Sequence, residues 1–375
     1  MERVAARVNG GESGYDDGEG HHFSDELMNN ETIEQWNNAR HFSWRRACIA
    51  LATIIGVLLV GYVALFFVPA VQHEPVWGVQ YSKIHAEWIG IDWKQAYAAL
   101  LDDVGVRHVR LGAYWPEIEP AEGVRQFEHL DWLMDEAEAR GATVVLAVGR
   151  RLPRWPECHV PDWARALPEE TQRERIVALM RDVVERYRSH PALGMWQVEN
   201  EPFLALFGEC PAMDDAQFIR ERDLVRELDP AHPVLITDSG ELSTWMRTAP
   251  AGDFLGTTMY RVVWNRLVGY WSYDLLIPPA FYRLKAWLAG KPANRMIIAE
   301  LQAEPWIPSG DVSSTSLDEQ RRSMDAARLG RHAAFARATG FREVYLWGAE
   351  YWYWLKAVRN DASMWEAARG IFRTN

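Results

Sequence analysis

GMWQVENEP, residues 194 to 202, begins as an apolar run and closes on Glu201, a carboxylic acid followed at once by proline. A short apolar run bounded this way reads as a strand buried on both faces, and Pro202 marks where its ladder must stop. A second run, RMIIAE at 295 to 300, has the same build and closes on Glu300. Outward from these two, the chain past residue 75 alternates short apolar runs with longer amphipathic ones. Strands are expected at 76–80, 106–115, 143–149, 194–200, 233–238, 253–260, 296–300 and 343–347. Between them, DWKQAYAALLDDVG spaces apolar residues at i, i+3 and i+4 and ends on Gly105, as a helix would. LDWLMDEAEARG, ETQRERIVALMRDVVERYRS, DDAQFIRERDLVRELD, PAFYRLKAWLAG and DEQRRSMDAARLGRHAAFARATG repeat the pattern. Strands alternating with helices define the α/β class, and eight of them predict a (β/α)8 TIM barrel over residues 76–375. An open doubly wound sheet is the competitor, but no glycine-rich phosphate loop follows the first strand.

Ahead of the barrel the composition changes twice. Residues 1–46 are polar and acid-rich, with no apolar periodicity, and are expected to be a disordered cytoplasmic tail in which His21 and His22 are solvated. Residues 47–68, ACIALATIIGVLLVGYVALFFV, carry no charge over 22 positions. That is enough to cross about 30 Å of hydrocarbon as a transmembrane helix. A cleaved signal peptide is the alternative, but its apolar region is shorter and lies nearer the start. Arg40, Arg45 and Arg46 precede the run and no basic residue follows before Lys83, so the N-terminus is expected inside and the barrel outside the cytoplasm, beyond a linker at 69–75. The net charge of -12, from 40 basic and 52 acidic side chains, argues against nucleic acid as a partner. Cys48 lies in the apolar run. Cys158 and Cys210 both fall in loops at one end of the expected barrel, in an oxidising compartment, and are expected to form a disulfide; two free buried thiols are the alternative.

Paired carboxyls at the ends of different strands are what cleavage of a glycosidic bond requires, one to protonate the leaving oxygen and one to attack or to activate water. The 19 tryptophans suit stacking on sugar rings, although most tryptophans in any fold serve the core. At WQVENEP the sequence resembles the fourth-strand motif of the clan A glycoside hydrolases, and the likeness extends over residues 76 to 355. The resemblance implies a retaining hydrolase of O-glycosidic bonds in oligo- or polysaccharides. Glu201 would be the acid/base and Glu300 the nucleophile, with the carboxyls about 5 to 5.5 Å apart. It implies further that Arg110 orients Glu300, that Tyr260 donates to it, that Asn200 meets the sugar 2-hydroxyl, and that Trp347 is the platform beneath the cleaved sugar. RLGAYWPEIEPAEGVRQFEHLDWLMDEAEARG is similar to cellulase-like and β-galactosidase-like members alike.

Other acids receive quieter roles: Glu199 as a hydrogen-bonded barrel residue, Glu304 as a loop residue, Glu119 as part of an EP-x-x-G turn. The sequence departs from the clan where a histidine is usual near the end of strand three; here AVGRRLPRW supplies Gly149, Arg150 and Arg151. Arg150 is a candidate for binding an acidic sugar substituent, with a loop salt bridge as the alternative. Trp155, Trp306, Trp352 and Trp354 all follow strand ends and could line subsites; Trp306 is the one favoured for the cleft. No HxH follows strand one, and His85 with Glu87 offers too few ligands, so neither metal nor cofactor is expected. Two other functions compete: a surface carbohydrate-binding barrel without catalysis, and a transglycosylase acting on envelope glycans.

Overall fold

The computed structural model describes residues 30–375 other than 72, 205, 207, 212, 275, 374 and 375. Residues 1–29, with His21 and His22, lie outside the described residues. Two units are distinguished, Met1–Tyr62 and Val63–Asn375. Helix α1 runs unbroken over Asn30–Ala64. The expectation of a disordered tail up to residue 46 is therefore corrected from residue 30 onward. Once the apolar run has nucleated a helix, each further residue upstream joins at little cost, and polar residues such as Glu31, Glu34 and Gln35 are adequate helix formers. Within the helical stretch, Ser43–Phe67 is long and apolar enough to cross a membrane.

The second unit is a closed parallel barrel. Its strands are β1 Val76–Gln80, β2 His108–Gly112, β3 Thr143–Val148, β4 Leu193–Val198, β5 Val234–Asp238, β6 Phe254–Met259, β9 Met296–Gln302 and β10 Glu343–Trp347. They close in the order β1-β10-β9-β6-β5-β4-β3-β2. All eight fall where the sequence predicts them. Between β6 and β9 an unexpected antiparallel hairpin, β7 Val262–Asn265 and β8 Gly269–Ser272, projects from the barrel. The last long helical run is broken into Leu317–Arg321 and Ala326–Thr339, because the Asp325 side chain caps a fresh N-terminus by accepting from the Arg328 N–H.

Two apolar layers hold the barrel together. Alternate strand residues face the surrounding helices, among them Val144, Leu146, Trp196, Ile236, Leu255, Ile298 and Leu346. The others point inward, where Val145, Met195, Leu235, Phe254, Ile297 and Tyr345 fill the lower barrel. Gly78 on β1 makes room for this plug; a Cβ there would stand 2.7 Å from the Tyr345 ring. Above the plug the inward positions turn polar, with Arg110, Gln197, Thr237 and Glu300 all buried. Strict alternation from inward Ile297 would aim Glu300 at the helices. A bulge prevents this: Ile298 pairs with Thr257 and Glu300 with Thr258, leaving Ala299 as the extra residue, and the ladder to β10 shifts at the same place.

Candidate active site

The C-terminal ends of the strands open into a cleft of about 880 Å³, lined by both Glu201 and Glu300. Glu201 lies three residues past the end of β4, in left-handed backbone conformation at φ 45°. Its N–H donates to Thr237 Oγ1 at 2.9 Å, and its carboxyl accepts from Thr258 Oγ1 at 3.2 Å. Burial, then the charges of Glu300 and Glu157, raise its pKa well above the usual carboxyl range. It therefore keeps its proton further up the pH scale than an exposed glutamate.

Glu300 has a different shell. Arg110 Nη1 donates to its Oε1 at 2.9 Å and the Tyr260 hydroxyl to its Oε2 at 2.7 Å. Arg110 is wholly buried and ties three strands together, with Nε on Gln197 Oε1 at 2.7 Å and Nη2 on Asn200 Oδ1 at 2.8 Å. Burial and the adjoining Glu300 push the Tyr260 hydroxyl well above its ordinary pKa, so it stays a donor. Because Thr258 is the ladder partner of Glu300 and also bonds Glu201, one residue pair couples the two acids.

A second network forms the wall. Arg154, at φ 84°, pairs with Glu304 and, at 2.7 Å, with Glu350. Its guanidinium lies 4.2 Å from the centre of the Trp347 ring, whose Nε1 donates to Glu304 Oε1 at 2.8 Å. His85 Nε2 sits 3.7 Å from Glu304 Oε2, and burial followed by the Arg154 charge holds its pKa well below the usual value, hence neutral. Glu241 also reaches the cleft, accepting from the Tyr260 N–H and the Tyr282 hydroxyl, and burial pushes its pKa up to about 7. Among the described residues, the side chains lining the cleft carry five carboxyls, Glu157, Glu201, Glu241, Glu300 and Glu304, against one guanidinium, Arg154. Trp88, Trp155, Trp264, Trp306 and Trp347 form aromatic walls around them.

Over residues 85–217 the sequence matches the Glyco_hydro_42 (Beta-galactosidase) family model. The resemblance is to the clan A glycoside hydrolases. Curated relatives include the beta-galactosidase LacZ of Heyndrickxia coagulans, 32% identical over 133 residues that cover 31% of this chain and 20% of that protein. BgaA of Clostridium cellulovorans is 25% identical over 250 residues, covering 58% of this chain and 37% of its own. The chain thus spans a minor part of the curated relatives it matches. Among solved structures, a GH42 beta-galactosidase from G. stearothermophilus superposes with a TM-score of 0.55 at 16% identity, over 80% of this chain and 56% of that one. GH5_18 from Streptomyces cattleya gives 0.51 at 17% identity, over 74% and 71%. These two likenesses establish the fold. The family match includes Asn200 and Glu201 and ends before Glu300.

Of the residues singled out by the clan resemblance, Glu201, Glu300, Tyr260 and Trp347 line the cleft, as does Trp306, expected there for its place after a strand end. Arg110 and Asn200 are not among the lining residues; both are buried, and Arg110 donates to Asn200 and to Glu300. Arg150 does not meet a sugar substituent in the cleft but takes the alternative reading, a salt bridge. Its guanidinium binds Glu169 at 2.8 and 3.0 Å and faces the start of the helix Glu169–Tyr187, away from the cleft. The cause is local: Glu199 accepts from the N–H groups of Arg150 and Arg151, both at 2.7 Å, and this fixes a turn that aims Arg150 outward. Glu304 lies in the loop after β9, as expected, and from there reaches the cleft wall. Trp352 and Trp354 are buried on the helix Ala349–Val358, where Trp352 Nε1 donates to the Ala303 carbonyl, whereas Trp155 is 65% exposed at the cleft edge. Glu119 serves the turn, accepting from Trp115 Nε1 and the Gly123 N–H. Cys158 and Cys210 are joined, S–S 2.03 Å, linking the loop after β3 to the one after Glu201. Arg154, Glu241 and the hairpin residue Trp264 escaped the sequence reading. Glu241 alone had a signal, three residues past the fifth predicted strand end.

Proposed function

We propose that the chain is a retaining β-glycoside hydrolase, with Glu201 as acid/base and Glu300 as nucleophile. The observation that carries this reading is the contrast between two carboxyls on one cleft. Glu201 is buried beside negative charge, which favours its protonated form, while Glu300 receives a guanidinium and a phenol hydroxyl. Glu201 would protonate the glycosidic oxygen as Glu300 attacks the anomeric carbon; the C–O bond breaks and a glycosyl ester forms. Glu201, now ionised, would take a proton from water as that water attacks the ester, restoring both groups. Asn200 Oδ1 is committed to Arg110, which leaves its amide N–H groups for the sugar 2-hydroxyl.

Five carboxyls facing one guanidinium, itself paired with Glu304 and Glu350, favour a neutral sugar over a uronic acid. β-Galactosides are the first substrates to try, given the relatives' names. We also take Ser43–Phe67 as an uncleaved signal anchor, N-terminus cytoplasmic and barrel outside, on the strength of the flanking arginines.

Turnover of aryl β-glycosides followed by proton NMR should show the β-anomer released first. Initial release of the α-anomer would replace the double displacement with inversion. Glu201→Gln is expected to slow substrates with poor leaving groups by about 10² to 10⁴. Because Glu201 acts in its protonated form and its pKa is raised, activity should fall as pH climbs through that pKa, and the variant should lose this alkaline limb. A variant with native rates and an unchanged profile would remove Glu201 as the acid.

A further inference from the structure

We propose that the barrel rests its base on the lipid surface through the helix Pro279–Leu288, so that its cleft opens away from the bilayer. This inference depends on the anchoring read above.

The segment after the apolar run is not a free tether. Arg283 Nη2 donates to the Pro69 carbonyl at 3.1 Å, Arg283 Nη1 to the Ala338 carbonyl at 2.6 Å, and the Val71 N–H to that same carbonyl at 3.5 Å. Val71 also packs over Gly340, where a Cβ would stand 2.9 Å from its Cγ1. All these partners belong to the base, since Arg283's helix runs down to the start of β9, and Ala338 and Gly340 lie just before β10. The chain therefore leaves its apolar segment already fastened to one end of the barrel.

Beside that fastening lies an apolar stripe. Leu284, Trp287 and Leu288 are 38%, 74% and 58% exposed, and their i, i+3, i+4 spacing sets them on one helix face. Trp287 is one turn beyond Arg283, the residue that grips Pro69. Phe67, the last residue of the apolar stretch, is 80% exposed just ahead of the linker. Lys291, whose Nζ donates to the Gly252 carbonyl at 2.8 Å, and the exposed Arg295, whose guanidinium lies 4.9 Å from the centre of the Phe254 ring, follow along the same edge. Tryptophan beside leucine, flanked by basic side chains, is the composition that sits at the headgroup level of an anionic bilayer. A protein could also cover such a stripe. The bilayer is favoured because the fastened linker holds it at the stripe permanently, as a tethered partner. The barrel strands are five to seven residues long, which at about 3.3 Å per residue and a tilt of about 36° sets the mouth roughly 15 Å above the base. The substrate would be a glycan standing clear of the membrane, not a sugar at headgroup height.

The test uses the full chain carrying Cys48→Ser, reconstituted into phosphatidylcholine–phosphatidylglycerol vesicles with and without a nitroxide near the acyl-chain top. A bimane label is attached through Trp287→Cys, or through Leu267→Cys at the tip of the β7–β8 hairpin beside the mouth. Nitroxide lipid should quench the label at 287 by about twofold or more, as expected within 5–10 Å of the headgroup boundary, and leave the label at 267 unchanged. Equal quenching at both sites, or none at 287 in chain that resists alkaline carbonate extraction, overturns the proposal alone. Shielding of 287 from aqueous iodide without lipid quenching assigns the stripe to a protein and also overturns it. Release of the chain by carbonate removes the anchor itself, and this inference with it.

Discussion

Two glutamates with the same intrinsic acidity, about 4.3, sit in opposite surroundings here through a handful of neighbours. Glu201 meets a threonine hydroxyl and two other carboxyls, whereas Glu300 meets Arg110 and Tyr260. Both acids were legible in the sequence, because each ends an apolar run and Asn200 and Pro202 flank the first. The second network was not. Arg154, Glu304, Trp347 and Glu350 come from three separate segments, and nothing local in AVGRRLPRW tells which arginine meets the cleft. The tryptophans were ambiguous for a related reason, since stacking and packing use the same apolar surface. Their split is testable. Trp352→Ala should destabilise the fold by about 3 to 5 kcal/mol, as expected for a large buried side chain, read as a lower urea midpoint. Trp155→Ala should leave that midpoint in place and raise KM, because an exposed ring contributes to binding alone.

The strands were readable because parallel strands covered by helices are apolar on both faces, so their runs are continuous and end abruptly at the mouth. Parity within a strand was less readable. The bulge at Ala299 turns Glu300 inward, and it depends on the ladders to β6 and β10, which no residue of RMIIAE announces. The β7–β8 hairpin was missed because its strands are four residues each and lie in a segment without helical or barrel periodicity. The turn after β3 shows how an element fixes a site residue at a distance. Gly149 has φ 136°, and a Cβ there would come within 2.4 Å of Glu199 Oε1, the oxygen that holds the Arg150 N–H. Gly149→Ala should therefore cost about 1 to 3 kcal/mol from the backbone conformation alone, and more from the clash. It should also weaken catalysis, because the same turn leads to Arg154. Thermal melting with kcat/KM at one temperature would detect both losses.

For the molecule as a whole, composition divides the chain into a polar start, an apolar run and a barrel. It erred on residues 30–46, where helix carries over from the apolar run. Anchoring with the barrel outside predicts that alkaline phosphatase fused to the C-terminus is active on intact bacterial cells; an inactive fusion would reverse the topology. The chain is acidic, and so are most of the charged side chains that line the cleft among the described residues.

Glu201 occupies a backbone conformation that glycine would adopt without strain, with Glu199 in the same region two residues earlier. Its carboxyl is also held in a buried, negatively charged setting. Folding alone would choose another residue at this position, so the fold bears a local penalty to keep the acid. Glu201→Gly should accordingly melt a few degrees higher than the parent while losing turnover, an inverse relation between robustness and activity. Differential scanning calorimetry beside an activity assay would expose that trade, and a lower melting temperature in the variant would refute it.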